Sequence, residues 1–564
     1  MNVAVKDRTL LTGVLLLVAF CSHFIYINQF GLYEDDYAFI NLGWSFKELA
    51  NHIKNALLHW PSGRPVGNII PFSIGYLGKI FNSLIPVYAF GYLFIAINSL
   101  LLFRLLKLIA PDVFAFIGAL TYVVFPADTT KILLIHSLGI QSGLTFTLLA
   151  GLLYLKGRRV VPYLLSILAL LTYETTWLPM LLLPLLKGDV KRSLFVDWVK
   201  HLAIMILILL AVIGIRSFLS DVRMGTVGDA DTYTLFMKTV SLIFLGPLAS
   251  AVTFVIRPYT AFAEGTTLSI VLIVLAAALF LWIFRHFFMK WSRAEESVTE
   301  TVSMCQYIHD NPLLQGSLRL IIIGILMWMS VYIFSFTHWP PFDIEGRLTS
   351  VHIAASIPAA LVIAGISWIL VGLSKDTRKI LYLSGILSVY FATLAGFHIV
   401  VQQDYAKSWA NQKAYWRQVM KHAPDIQQGT QVFVLLKERL PETKYILTHS
   451  WADYMLLDKF YDTRSAPKDQ KPKVNIISSG NVNSFRITNG RLERLSWRPK
   501  PGGGFHREVE ILDPNRIIFL LGKKDGSMIR LSQSVTLGKL RIPLPPPGEK
   551  TDFPPTTLYH LIMD

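Results

Sequence analysis

The stretch LLTGVLLLVAFCSHFIYI at residues 10–27, followed at 28–37 by NQFGLYEDDY, decides how this chain is read. The first part contains no Asp, Glu, Lys or Arg. Wound as a helix it is about 27 Å long, close to the hydrocarbon thickness of a bilayer, and a helix satisfies its own backbone there. The second part sets three carboxylates, Glu34, Asp35 and Asp36, at the edge of the apolar run, where they repel one another and are costly to desolvate. Lys6 and Arg8 ahead of the run imitate a signal peptide. Phe24, Tyr26 and Phe30 are too bulky for a cleavage site, so an uncleaved first span is expected.

Outward from this stretch the pattern repeats. Ala203–Ile215, Leu268–Phe284, Leu320–Phe336 and Ile380–Val401 are nearly charge-free, and only 16% of the 564 residues are charged while 53% are hydrophobic. Soluble domains carry about a quarter charged residues, so the composition excludes an ordinary cytosolic protein. The expectation is an all-α polytopic membrane protein of about eleven transmembrane helices. In such a chain the net charge of +16 reports topology rather than nucleic acid. Basic groups at Lys6/Arg8, Arg104/Lys107, Lys156/Arg158/Arg159, Lys187–Lys200, Arg285–Arg293 and Lys375–Lys379 mark one side. Taken as cytoplasmic, they put the amino terminus inside a cell inner or plasma membrane and everything after Val401 outside. Cys21 lies in an apolar run and Cys305 in a polar loop, so neither a disulfide nor a cysteine metal site is expected.

Two regions are foreseen: residues 1–401 as the membrane module, with residues 28–83 as its first outer loop, and residues 402–564 as a small extracytoplasmic α+β domain. Within the loop, Phe46, Leu49, Ile53, Leu57 and Leu58 recur at helical spacing in Ser45–His59, the mark of an amphipathic surface helix. Val66–Phe81, interrupted by Pro71, Gly75 and Gly78, suits a second surface or re-entrant helix. Val160–Leu186 is basic at both flanks and is read as two short helices turning back near Thr172-Tyr173-Glu174, with Glu174 recessed. Phe236–Ile256 is a further outer segment whose form the pattern leaves open. In the tail, Asp404–His422 reads as a helix, and Val432–Leu436, Tyr445–Thr448, Val474–Ser478 and Arg516–Leu521 read as strands.

Polar residues assigned to the same side as the acidic motif are the candidates for chemistry. They are Glu34, Asp35 and Asp36, then Arg64, Asp128, Lys131, Glu174, His338 and Arg347. Arginine grips phosphate through paired hydrogen bonds, and aromatic faces such as those of Trp44 and Trp60 stack on sugar rings. Each residue also has a plainer role open to it. The carboxylates can be a solvated loop, Asp128 a helix cap, Lys131 and Arg347 snorkelling anchors, and His338 a loop residue beside Trp339. No Walker loop, His-Glu-x-x-His or zinc-type cysteine spacing is present.

An acidic motif just after span one, surface helices beyond it, a turned-back pair near Glu174 and an arginine before a late span together resemble the GT-C class of membrane glycosyltransferases. That class includes the protein O-mannosyltransferases and the bacterial enzymes that add 4-amino-arabinose to lipid A. The resemblance covers Met1 to Val401. It implies transfer of a sugar from a polyprenyl-phosphate donor to a glycan, lipid or protein acceptor at the membrane lipid surface. Asp35 or Asp36 would be the base and Arg347 the donor-phosphate ligand. No cofactor is required, although the carboxylates leave room for a divalent cation. The chain lacks the mannosyltransferases' central sugar-binding repeats, and has Gly63-Arg64-Pro65 where the aminoarabinose transferases carry Lys-Pro-Pro. A polymerase or ligase of lipid-linked glycans, and a transporter or flippase, are the alternative readings.

Overall fold

A computed structural model describes residues 2–60, 63–187, 192–219, 231–296, 312–335, 341–374, 376–436, 443–449, 451–464, 466–467, 470–477, 485–489, 491–499, 505–523, 526–537 and 539–564. His338, Cys305, Lys191 and Lys375 lie outside the described residues.

The chain is mostly helical. Among the described residues, eight helices are long and apolar enough to cross a membrane, which does not confirm the eleven or so expected. Three further apolar helices, Asp112–Val123, Val160–Thr172 and Gln315–Ser330, fall short of the roughly 20 residues a bilayer requires. Phe236–Ile256 is the interior of a 32-residue helix, Thr232–Ala263, which continues through Pro247 and Pro258.

The loop after α1 (Asn2–His23) builds as its pattern demands. A single turn, α2 (Asp36–Phe39), precedes the amphipathic α3 (Phe46–His59). A capping box starts α3: Ser45 Oγ accepts from the Glu48 N–H at 3.3 Å, and Glu48 Oε2 accepts from the Ser45 N–H at 2.7 Å. Next comes α4 (Pro65–Ile80), with proline at its first position, where a missing N–H costs nothing.

α5 (Ile85–Leu106) is a full-length helix, but α6 (Asp112–Val123) stops after 12 residues inside the bundle. Its orphan carbonyls find donors in Lys131, whose ammonium reaches Tyr122 O at 2.7 Å and Val123 O at 2.8 Å, and in His23 Nε2, 2.8 Å from Val123 O. α7 (Gln141–Leu155) is entered through a π-helical turn, Ile135–Ile140. α8 (Val160–Thr172) ends at Tyr173, which is extended. The second limb is one α-turn, α9 (Glu174–Trp177), and then the 3₁₀ turns Leu178–Leu181 and Leu183–Leu186, because Pro179 and Pro184 remove the donors of a regular helix.

α10 (Arg192–Phe218) follows. α11 (Thr232–Ala263) and α12 (Thr267–Glu296) pack on the long final helix of the bundle. α13 (Pro312–Ser330) and α14 (Ser356–Gly372) form a close pair, and a 3₁₀ helix, Arg347–Ala355, leads into α14. α15 (Thr377–His422) is one continuous helix of 46 residues, about 69 Å long. The boundary foreseen at Val401 therefore falls inside a helix. The rise in polarity there is a change along one element, whose distal half buries Tyr405, Trp409, Gln412, Trp416 and Val419 at helical spacing.

The tail carries strands β1 (Gln431–Leu436), β2 (Lys473–Ile477), β3 (Phe485–Thr488), β4 (Arg491–Pro499), β5 (Phe505–Leu512), β6 (Ile517–Gly522), β7 (Met528–Arg530), β8 (Ser534–Leu537) and β9 (Leu540–Pro543). One sheet runs β2-β1-β6-β7, with β1 parallel to both neighbours. β3-β4-β5 and β8-β9 are separate antiparallel sheets. Tyr445–Thr448 is not a strand. Alternation splits β1 between two cores: Val432 and Val434 join the apolar core shared with the bundle, and Phe433 packs with Phe485 and Phe519 in a second one. The α16 turn (Leu457–Phe460) and α17 (Thr557–Met563) complete the described tail.

Candidate functional site

The acidic motif is held by burial on both sides. Gly31 sits against Trp409 of α15 so closely that a Cβ would lie 1.8 Å from the indole, so glycine is required at this crossing. Tyr33 donates its hydroxyl to Tyr405 O at 2.9 Å. Glu34 then adopts a left-handed backbone conformation (φ 42°), which directs consecutive carboxylates apart.

The three carboxylates separate into different environments. Glu34 is buried, and its Oε1 accepts from the Leu447 N–H of the tail at 3.2 Å. Burial pushes its carboxyl above the usual range. Asp36 is fully buried and accepts from the backbone at both oxygens, from Ile135 N at 2.8 Å and Tyr33 N at 3.2 Å. Burial outweighs those donors and holds its carboxyl well above the usual range. It ties the motif to the start of the π-helical turn. Asp35 alone lines a cavity of about 150 Å³, and its Oδ2 lies 2.6 Å from the Arg347 guanidinium.

Arg64, Asn68, His136, Tyr173 and Arg347 share that cavity with Asp35. Arg64 lies 3.9 Å over the Tyr173 ring and 2.6 Å from Glu174 Oε2, while Arg216 of α10 holds Glu174 Oε1 at 2.8 Å. One carboxylate between two guanidiniums leaves a positive excess beside the cavity, an arrangement suited to an anion such as phosphate. Gly63 (φ 65°) makes the packing feasible, since a Cβ there would lie 2.2 Å from the Arg216 guanidinium.

Arg347 is aimed by its flanks. Arg257 of α11 is buried over the Phe397 ring, donates to Ile344 O and pairs with Glu345 at 3.6 Å. On the other flank, Thr349 Oγ1 accepts from the Thr129 N–H at 3.1 Å.

Besides Glu34, Asp36 and Glu174, the candidates Lys131 and Asp128 do not line the cavity. Lys131 caps the end of α6, so it neither snorkels nor lines this cavity. Asp128 forms a local turn, Oδ1 accepting from Thr130 N at 2.8 Å and Thr130 Oγ1 at 2.7 Å. Their segment serves as scaffold under the Arg347 helix. Arg216, His136, Asn68 and Tyr173 were missed. An arginine closing the apolar run at 203–215 was the one visible signal among them. Among the described residues, no group of three or more His, Cys, Asp or Glu side chains is placed to hold a metal.

No family model, curated protein or solved structure matches the chain.

Proposed function

We propose that this chain is a multi-pass membrane glycosyltransferase that moves a sugar from a polyprenyl-phosphate donor to a glycan, lipid or protein acceptor. The observation that carries the reading is the Asp35–Arg347 pair, facing a cavity whose other wall holds Arg64. The donor phosphate takes Arg347 and Arg64, which frees the Asp35 carboxylate. The acceptor hydroxyl then loses its proton to Asp35 as its oxygen bonds to the sugar's anomeric carbon. The bond from that carbon to the phosphate oxygen breaks, the carbon inverts, and the leaving charge stays on polyprenyl phosphate beside the guanidiniums. At about 150 Å³ the cavity is below the roughly 300–1,000 Å³ of ligand pockets, consistent with a site that opens as Arg347 exchanges partners.

In this reading the eight long helices and the three shorter apolar ones all lie in a cell inner or plasma membrane. The amino terminus is cytoplasmic and the tail is outside. No cofactor is needed, and a divalent cation at the carboxylates remains a variant of the same chemistry.

A second reading, a transporter or flippase, draws on buried His23 and His398, with ring centroids 4.6 Å apart within the bundle, because ionisable groups in apolar bundles commonly mark transport paths. Membranes containing the chain, supplied with radiolabelled polyprenyl-phosphate sugars, separate the two. Label moving into an acceptor supports the transferase. Label that crosses the bilayer with its donor bond intact supports the transporter.

A further inference from the structure

A second and larger cleft, about 610 Å³, lies between the loop after α1 and the tail. One helical turn separates it from the Asp35 cavity: Asp35 and Phe39 line the small cavity, and Ala38 lines the cleft. An aromatic wall joins the two. Phe39 stacks on Phe72 with centroids 6.0 Å apart, Phe72 meets Trp44 edge-on at 5.2 Å, and Trp44 stacks on His52 at 4.0 Å. Lys79 fixes this wall by donating to Trp44 O at 2.5 Å.

The charges opposite the wall are unequal. Four cations, Lys79, Lys459, Arg464 and Lys471, meet three carboxylates, Glu48, Asp458 and Asp462. The carboxylates are already engaged: Asp458 by Lys471 at 2.8 Å, Asp462 by Arg464, and Glu48 by Arg464 at 3.0 Å. Lys459 forms no ion pair among the described residues. Burial holds its ammonium below the usual lysine range, so an arriving anion would relieve an existing cost.

We infer that this cleft binds an anionic saccharide, with a sugar ring on the Trp44–His52 face and a carboxylate or phosphate at Lys459. Its role as the acceptor's seat rests on the transferase reading, because a chain lying along the wall reaches the Asp35 cavity past one helical turn. Binding itself does not depend on that reading.

The test titrates the full chain in detergent with trigalacturonate, phosphorylated maltotriose and neutral maltotriose, following heat or tryptophan fluorescence. At least one charged probe is expected to bind at least about tenfold more tightly than the neutral one, the scale of a hydrogen bond to a charged group. Which charged probe wins distinguishes a uronic carboxylate from a sugar phosphate. Lys459→Gln should erase the preference and Lys459→Arg retain it. Trp44→Leu should weaken all probes that bind, and it decides the matter if Lys459→Gln does not fold. Equal affinity for charged and neutral probes, binding of none, or unchanged affinities in Lys459→Gln and Trp44→Leu would overturn the inference. Asp35→Asn should bind as wild type does. Charge-selective binding by a wild type that transfers no sugar would sink the transferase and leave the cleft standing.

Discussion

The Arg347 guanidinium lies 2.6 Å from the Asp35 carboxylate, and the neighbouring Asp36 faces away to accept backbone N–H groups. Two adjacent aspartates of identical chemistry are thereby given different work. One lines a cavity in an ion pair, and the other is built into the scaffold.

If the chain is the proposed transferase, Asp35→Asn should lower the transfer rate about 10²–10⁴-fold, the span of a general base, and leave thermal unfolding near that of the wild type. Asp36→Asn should reduce the amount of folded protein, and the surviving fraction should turn over at a rate closer to wild type. Transfer assays normalised to folded protein check this. Equal losses in both variants would contradict the division of roles.

The raised Asp36 carboxyl carries a sign that can be tested. A carboxyl raised by folding contributes stability that is fully present below its unfolded value, roughly 4, and is lost as pH rises through the folded value. Asp36→Asn removes this titration. The melting temperature of the wild type relative to Asp36→Asn should therefore fall as pH rises above about 4, and melting curves from pH 4.5 to 8 would show it. A constant difference over that range argues against a raised carboxyl.

Glu174 neutralises Arg64 and Arg216 together. Glu174→Gln should cost about 3–5 kcal/mol, because a partly buried pair loses one partner, with the low end favoured by the Arg64 contact to Tyr173. Glu174→Gln with Arg216→Leu should recover part of that loss, read as a coupling in a double-mutant cycle. In the folded fraction the apparent donor KM should change more than kcat. Strict additivity of the two changes would show that the pair does not act as a unit.

Lys131→Met should lower the melting temperature, since Tyr122 O loses its donor, at about 1–3 kcal/mol for a buried carbonyl left unmet, while Val123 O keeps His23. Donor affinity should be unchanged. A specific rise in donor KM would instead give Lys131 a part in the proposed donor site.

Much was readable because it depends on local pattern. The apolar runs announce helices long enough for a bilayer, helical spacing announces α3, and a break near Glu174 is announced, although the second limb, expected as a short helix, is broken into 3₁₀ turns by Pro179 and Pro184. A short apolar run at Val432–Leu436 announces β1. Tyr445–Thr448 misled because a short apolar stretch takes its form from what it packs on, here the Arg257 face and the acidic motif. The distal half of α15 looked like a new domain because its polarity rises, although helix hydrogen bonds run past Val401 without a break.

By itself, the sequence determined that the chain is dominated by apolar helices and that an acidic motif closes the first of them, because hydrophobicity and periodicity act over a few turns. Only the tertiary structure decided that Asp35 faces the cavity and Asp36 the backbone, that Arg216 joins Arg64 on Glu174, and that Lys131 caps α6. The Asp35–Arg347 and Arg64–Glu174 pairings join segments far apart in the chain, and the Lys131 cap closes a loop whose course packing sets. Each exists because burying a charge or an orphan carbonyl is costly until packing brings it a partner, and the partner's identity is a property of the packed molecule.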